Sequence, residues 1–280
     1  MITNKCKEHS EEVKAELKRF FNERKTTLAI LTNGRPDGER YVRNKVKVAN
    51  ELGVETRIYD VTNEHYDRVV CFIRNLEEDG IMVQMPFFED PKLNDLLMRW
   101  IPEHKDVDGL NPLTKHFYGI YPATAQGIFN CFFKDTCLHI GVMGRSKLVG
   151  DPLVNLLMHS DNVVTVVHSQ CPAYWSSLDC CDAIVTATET TTIHASDRSW
   201  LNYSRIDLIV DVGIRVGEDG KLRGDIDKEL YDMEEVEITP VPGGVGLLTT
   251  TYLYWNLMQL KRHMIGECHD FSKNKSRSEN

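Results

Sequence analysis

The sequence predicts an α/β fold of two three-layer α/β domains with a cleft between them, and three observations predict it. Short β-branched apolar runs alternate with amphipathic segments, no internal repeat competes with that alternation, and a stretch rich in Pro, Gly, Asn and Asp at 102–124 interrupts it midway. Strands recur at 27–31, 55–59, 80–84, 138–143, 163–167, 183–187 and 208–212. Helical spacing fills the intervals at 11–24, 41–52, 64–76, 93–100, 124–133 and 148–158. Alternation of this kind lays down parallel strands with helices on both faces of the sheet. The first domain is expected to span 1–122, completed by a C-terminal helix at 247–266, and the second 123–246. The polar tail 268–280 is expected to be disordered.

Composition narrows the function classes. The 280 residues carry 33 Lys plus Arg against 42 Asp plus Glu, and the resulting formal charge of −9 disfavours broad binding to nucleic acid. At 41% hydrophobic and 27% charged residues, the chain can build a sizeable core, which excludes disordered and collagen-like classes. No apolar run approaches the roughly 18 residues of a membrane span, and the first residues lack the apolar core of a secretory signal. A soluble, cytoplasmic protein with no membrane partner is expected. Its eight cysteines include no C-x-x-C pair and are read as reduced thiols. The vicinal pair Cys180 and Cys181 has no histidine at ligand spacing, so no metal is expected.

Four segments hold candidate chemistry. In the helix 41–52, Val42, Val46 and Ala49 form the stripe expected to be buried, while Tyr41 and Lys45, four residues apart, share a neighbouring stripe. Such a pair decorates a wet face unless the amine is partly desolvated, in which case it can exchange protons near neutral pH. The strand 80–84 runs into Met85-Pro86-Phe87, which puts the amide of Gln84 at the carboxyl end of a buried strand. Open α/β sheets bind ligands there, although the same amide could simply tie off the strand. In Lys105-Asp106-Val107-Asp108-Gly109, at most one of the two carboxylates can face a cleft, and an Asp in such a turn often caps it.

The fourth segment opens the second domain. After an apolar strand comes Gly141-Val142-Met143-Gly144-Arg145-Ser146-Lys147-Leu148-Val149-Gly150-Asp151-Pro152, and glycines at such a turn let backbone amides approach a pyrophosphate at a helix N-terminus. The next strand ends in Val167-His168-Ser169-Gln170 with none of the acid that would hold the ribose 2′-hydroxyl of NAD. With Arg145 in the preceding loop, NADP is the better match than NAD. The second domain is thus read as Rossmann-like and NAD(P)-binding.

Together the segments resemble the bifunctional methylenetetrahydrofolate dehydrogenase/cyclohydrolase (FolD) family. The matching blocks are Tyr41-Val-Arg-Asn-Lys45, Val83-Gln84-Met85-Pro86, Lys105 through Gly109, Gly144 through Pro152, Asp211-Val-Gly-Ile214, Gly224-Asp225-Ile-Asp227 and Thr239 through Gly246, in the family's order across nearly the whole chain. The resemblance implies oxidation of 5,10-methylenetetrahydrofolate to the methenyl cation with NADP, hydrolysis of that cation to 10-formyltetrahydrofolate, and a homodimer. It implies that Lys45 assists water attack, Tyr41 stacks beside the folate, Gln84 tunes the lysine and Asp108 holds the pterin amino group. Met85, Pro86, Pro242, Gly243 and Gly244 would complete the folate site. Gly144, Arg145, Ser146, His168, Ser169 and Ile214 would hold the cofactor. The chain departs from the family pattern at Ala123, Ala125, Glu189 and Leu247. A bulky anion at 189 near a dinucleotide would repel it, so the alternatives are a cyclohydrolase with weak or lost dehydrogenase activity, or a non-catalytic folate-binding protein.

Overall fold

The structure is a computed structural model and describes residues 1–171, 175–188, 190, 192–217 and 219–267, apart from the side chains of Pro36 and Asp37. Glu189 and the tail 268–280, both singled out from the sequence, lie outside the described residues. In chain order the elements begin with α1 (Lys5–Glu23), β1 (Thr27–Thr32), α2 (Pro36–Leu52), β2 (Glu55–Asp60), α3 (Tyr66–Arg74), β3 (Gly80–Val83), α4 (Pro91–Met98) and α5 (Pro112–Tyr118). After these come α6 (Ala123–Ile128), β4 (His139–Met143), α7 (Gly150–Met158), β5 (Val163–Val167), β6 (Ala183–Thr186), α8 (Arg198–Tyr203) and β7 (Leu208–Asp211). A hairpin of β8 (Arg215–Val216) and β9 (Leu222–Arg223), then β10 (Glu237–Ile238) and α9 (Val245–Met264), complete the set. None of the described helices is long and apolar enough to cross a membrane.

Contacts divide the chain into two compact units. One comprises Phe20–Val107, Asn111–Ile120 and the chain from Trp255 onward. Its sheet is parallel in the order β2-β1-β3, with Ile30 paired to Ile58 on one side and to Met82 on the other. Strand β3 is buried throughout and β1 nearly so, whereas β2 is exposed at the edge. That pattern explains why β1 and β3 read as unbroken apolar runs. Against β3, the second half of α9 packs so closely that a Cβ on Gly80 would lie 2.6 Å from Leu257 Cδ1.

The other unit comprises Met1–Arg19, Asp108–Leu110 and Tyr121–Tyr254. Its sheet is also parallel, in the order β10-β7-β6-β4-β5. Side-chain alternation splits its core in two. Ile140, Val142, Val185 and Val210 pack with Ile128, Phe133, Leu153 and Leu157 of the helices on one face. Met143, Ile184 and Ile209 pack with Leu178, Leu201 and Leu230 on the other. The expected α/β class with parallel sheets, the second Rossmann-like, is the one found.

Several boundaries differ from the sequence expectation. Helix α2 begins at Pro36 rather than 41, and α1 at Lys5 rather than 11. The stretch at 102–124, expected to interrupt the alternation, contains α5, because Pro112 sits in the first turn, where the missing N–H costs nothing, behind an Asn111 side chain that caps the Leu113 amide at 3.0 Å. The segment 124–133 is α-helical only to Ile128 and then widens into a π turn. The two-residue strands β8, β9 and β10 are too short to leave a periodic signature.

Candidate active site

In the first-described unit, α2 carries Tyr41, exposed, and Lys45, half-buried, on the face that looks toward the end of β3. Of the expected apolar stripe, Val42 and Ala49 are buried and Val46 is half-buried. Lys45 Nζ donates to Gln84 Oε1 at 3.2 Å and lies 3.6 Å from Met82 Sδ. Gln84 in turn donates through Nε2 to the Met85 carbonyl at 3.1 Å, so its amide is fixed at both ends. The peptide between Met85 and Pro86 is cis. Beyond it, buried Asn94 holds the chain by accepting from the amides of Phe87 (2.9 Å) and Phe88 (2.8 Å) and donating to the Phe88 carbonyl (2.9 Å). Lys45 is thus half-buried, with an amide oxygen as its partner.

The two carboxylates of the 105–109 loop separate. Asp106 is fully buried and accepts from the Asn111 amide at 2.7 Å and from Thr114 Oγ1 at 2.8 Å, which pins the start of α5. Asp108 is half-buried and belongs to the other unit. Of the two, Asp106 does the capping.

In the Rossmann-like unit, the carboxyl ends of β4, β5, β6 and β7 open onto a cavity of about 870 Å³. Gly144, Arg145, Ser146, His168, Ser169 and Ile214 all line it, together with Gln170, Thr188, Thr190, Thr192 and Gly213. Gly144 has φ +103°, and a Cβ there would fall 2.3 Å from the Ala187 carbonyl oxygen, so glycine is required on two counts. Ser146 Oγ accepts from the amides of Val149 (3.2 Å) and Gly150 (3.3 Å) at the entry to α7. Arg145 is exposed, and His168 Nδ1 accepts from the Gln170 amide at 3.3 Å. The Pro242 and Gly243 positions are exposed, Gly244 is buried, and a Cβ on Gly246 would lie 3.8 Å from Ile214 Cδ1, which brings this turn to the cavity rim. Ala123 and Ala125 are buried in and beside the helical core.

Below the cavity floor two buried carboxylates organise the lining. Asp211 accepts from the amides of Gly213 (3.1 Å), Asp225 (2.8 Å) and Ile226 (3.3 Å). Asp225 accepts from the Thr188 amide (2.8 Å) and hydroxyl (3.0 Å). Burial, with the Asp225 charge nearby, pushes Asp211 up to about 7 against the pull of those amides.

The residues that would hold a dinucleotide fit one: a roomy cavity at strand carboxyl ends, a glycine turn without a Cβ, a helix N-terminus beside it and an exposed guanidinium. Family models agree in both halves. Residues 3–108 match the tetrahydrofolate dehydrogenase/cyclohydrolase catalytic domain and residues 122–264 match its NAD(P)-binding domain. The chain belongs to the tetrahydrofolate dehydrogenase/cyclohydrolase family.

Its similarity to members of that family runs over most of its length. It is 34% identical over 256 residues to the bifunctional protein FolD of Ligilactobacillus salivarius, covering 86% of this chain and 88% of that one. Against FolD of Clostridium tetani it is 34% identical over 275 residues, covering 90% and 96%. Among solved structures, the FolD methylenetetrahydrofolate dehydrogenase/cyclohydrolase of Campylobacter jejuni superposes with a TM-score of 0.81 at 26% identity, covering 94% of this chain and all of that one. The Trypanosoma brucei family member, solved with NADP and an inhibitor, gives 0.74 at 28% identity, covering 93% and 94%. Within the family frame, Thr188, Thr190, Thr192 and Gln170 are lining residues that sequence reasoning missed. Only the Gly224-Asp225 block hinted at them, through the carboxylate that now holds Thr188.

Proposed function

We propose that this chain oxidises 5,10-methylenetetrahydrofolate with NADP and hydrolyses the methenyl product to 10-formyltetrahydrofolate. The 3.2 Å contact between Lys45 Nζ and Gln84 Oε1, on a half-buried amine, carries this conclusion. An amine so held is positioned to assist attack of water on the methenyl carbon, taking its proton, and the ring opening that follows. Tyr41 stacks beside the folate, with Met85 and Pro86 next to it. Asp108 accepts from the pterin amino group, and Pro242, Gly243 and Gly244 give a flat ring a surface with little side-chain bulk.

When bound, NADP supplies the acceptor for the hydride of the methylene carbon. Arg145, Ser146 and Ser169 hold its phosphate end, with His168, Gly144 and Ile214 lining the rest. NADP is favoured over NAD because the guanidinium is exposed in the cavity and no carboxylate stands at the end of β5. That step asks of the protein only alignment of donor and acceptor, with no dedicated acid or base. We place the protein in the cytoplasm as a homodimer that provides formyl groups of the kind used in purine biosynthesis.

The test is a pair of absorbance assays on the purified protein. NADPH formation from methylenetetrahydrofolate and loss of the methenyl chromophore should both exceed the solvent background. Absence of NADPH at high enzyme concentration, with hydrolysis retained, would remove the dehydrogenase half.

A further inference from the structure

At the amino ends of β4 and β6, opposite to the cofactor cavity, the fold gathers three soft ligands that are far apart in sequence. His139 opens β4, and Cys180 and Cys181 lie in the turn just before β6. Pairing of Ile140 with Ala183 sets these two points side by side. One ligand atom each from His139, Cys180 and Cys181 lies within 4.8 Å of the others. The expectation of no metal rested on histidine spacing along the chain, and sheet pairing supplies the histidine instead.

The surroundings hold the three in place. His139 donates its backbone amide to Asp182 Oδ2 at 2.8 Å and accepts from the Asp182 amide at 2.7 Å, while Arg205 donates to the other carboxylate oxygen at 3.0 Å. His139 Nε2 lies 2.8 Å from Thr165 Oγ1 on the neighbouring strand. Gly141, two residues on and on the same face, lets the segment that carries the cysteines pack close, since a Cβ there would fall 2.5 Å from Leu178 Cδ2 and 3.3 Å from Cys181 Sγ. The cluster runs from exposed Cys180 through half-buried His139 to buried Cys181, so it is anchored inside and open to solvent at one end.

We propose that His139, Cys180 and Cys181 bind a zinc-class cation, with a fourth position left to water or a small exogenous ligand. Two thiolates and an imidazole are the donor set that selects such a cation over magnesium or calcium. With zinc–sulfur near 2.3 Å and zinc–nitrogen near 2.0 Å, two sulfurs and a nitrogen on a tetrahedral ion sit roughly 3.5 to 3.8 Å apart. Closing the cluster therefore takes about one ångström, which rotation of the exposed Cys180 side chain can supply. Thr165 is placed to orient the imidazole, as outer groups do in zinc sites. A bound ion would tie the turn before β6 to the start of β4 and raise the thermal midpoint. The site shares no residue with the cofactor cavity, so it stands or falls apart from the folate chemistry.

The test uses the full chain, reduced and stripped of metal with a chelator, titrated with Co²⁺ as a spectroscopic probe and then with Zn²⁺ in competition. The expected result is a thiolate-to-cobalt absorption band saturating at one equivalent, removed by Zn²⁺, with a raised thermal midpoint. Cys180→Ser and His139→Gln should each weaken binding by about tenfold or more, while Cys71→Ser, at an exposed thiol of the other unit, leaves it unchanged. Cys180 is exposed, so its serine variant should match the metal-free thermal midpoint of the parent. No saturable band, a band indifferent to both Cys180→Ser and His139→Gln, or oxidation of the vicinal thiols in place of binding would each overturn the proposal.

Discussion

Lys45 and Gln84 meet across 3.2 Å, the amine delivered by α2 and the amide by the residue that follows β3. The amide is itself tied to the Met85 carbonyl, so the amine has a fixed rather than a roaming partner. Positioned general catalysts contribute about 10²- to 10⁴-fold. Lys45→Met should therefore reduce methenyl hydrolysis by at least about 10²-fold while measurable NADPH formation survives. Gln84→Leu should slow hydrolysis by roughly fivefold, the worth of one hydrogen bond of about 1 kcal/mol. Parallel rate measurements on both variants check this, and equal loss of both activities in Lys45→Met would mark the lysine as structural.

Arg145 projects into the cavity as an exposed guanidinium. A charge-assisted contact to a 2′-phosphate is worth about 1.5 to 3 kcal/mol. Arg145→Ala should accordingly raise the KM for NADP by about ten- to a hundredfold and leave that for NAD nearly unchanged. Steady-state kinetics with the two nucleotides decides, and an unaltered preference would remove the phosphate assignment.

Asp106 and Asp108 should separate stability from activity. Asp106→Ala strips a buried acceptor from the Asn111 amide and the Thr114 hydroxyl, at a cost of about 2 to 4 kcal/mol. Denaturant unfolding would read it. Asp108→Ala should unfold close to the parent and instead raise the KM for the folate.

Asp211 makes stability depend on pH. Its folded-state value, pushed up to about 7 by burial, lies above the ordinary carboxyl value of 3.8, so the folded protein binds a proton that the unfolded chain has released. The contribution is fully present below 3.8 and is lost as pH rises toward 7, on the order of a few kcal/mol across that window. Asp211→Asn, which keeps an acceptor for the Gly213 and Asp225 amides, should flatten that part of the thermal midpoint against pH. Identical slopes in parent and variant would refute it.

Much of the architecture was legible because buried parallel strands write themselves as apolar runs. The segments 27–31 and 80–84 are β1 and β3 to within a residue, and the gathering of Gly144, Arg145, His168 and Ile214 in one cavity follows from their positions at strand carboxyl ends. What escaped reading depended on tertiary partners. The helix from Pro112 lay hidden in a Pro- and Gly-rich stretch until Asn111 was seen to cap it, and His139 could not be paired with Cys180 and Cys181 without knowing that β4 lies beside β6. Thr188 carries no periodic mark, because the carboxylate that holds it lies nearly forty residues away.

Asn94 grips the main chain of Phe87 and Phe88, and no side chain there takes part in the grip. The bend after Gln84 is thus specified from a distance, by the amide of Asn94 on α4 and by Asn33, which donates to the Phe87 carbonyl, and a protein engineer could exchange the half-buried ring at 88 to reshape the neighbourhood without unmaking the bend. Changing Asn94 to Asp would keep the acceptor for the Phe87 and Phe88 amides but set a carboxylate oxygen against the Phe88 carbonyl, so the grip would loosen at that one point.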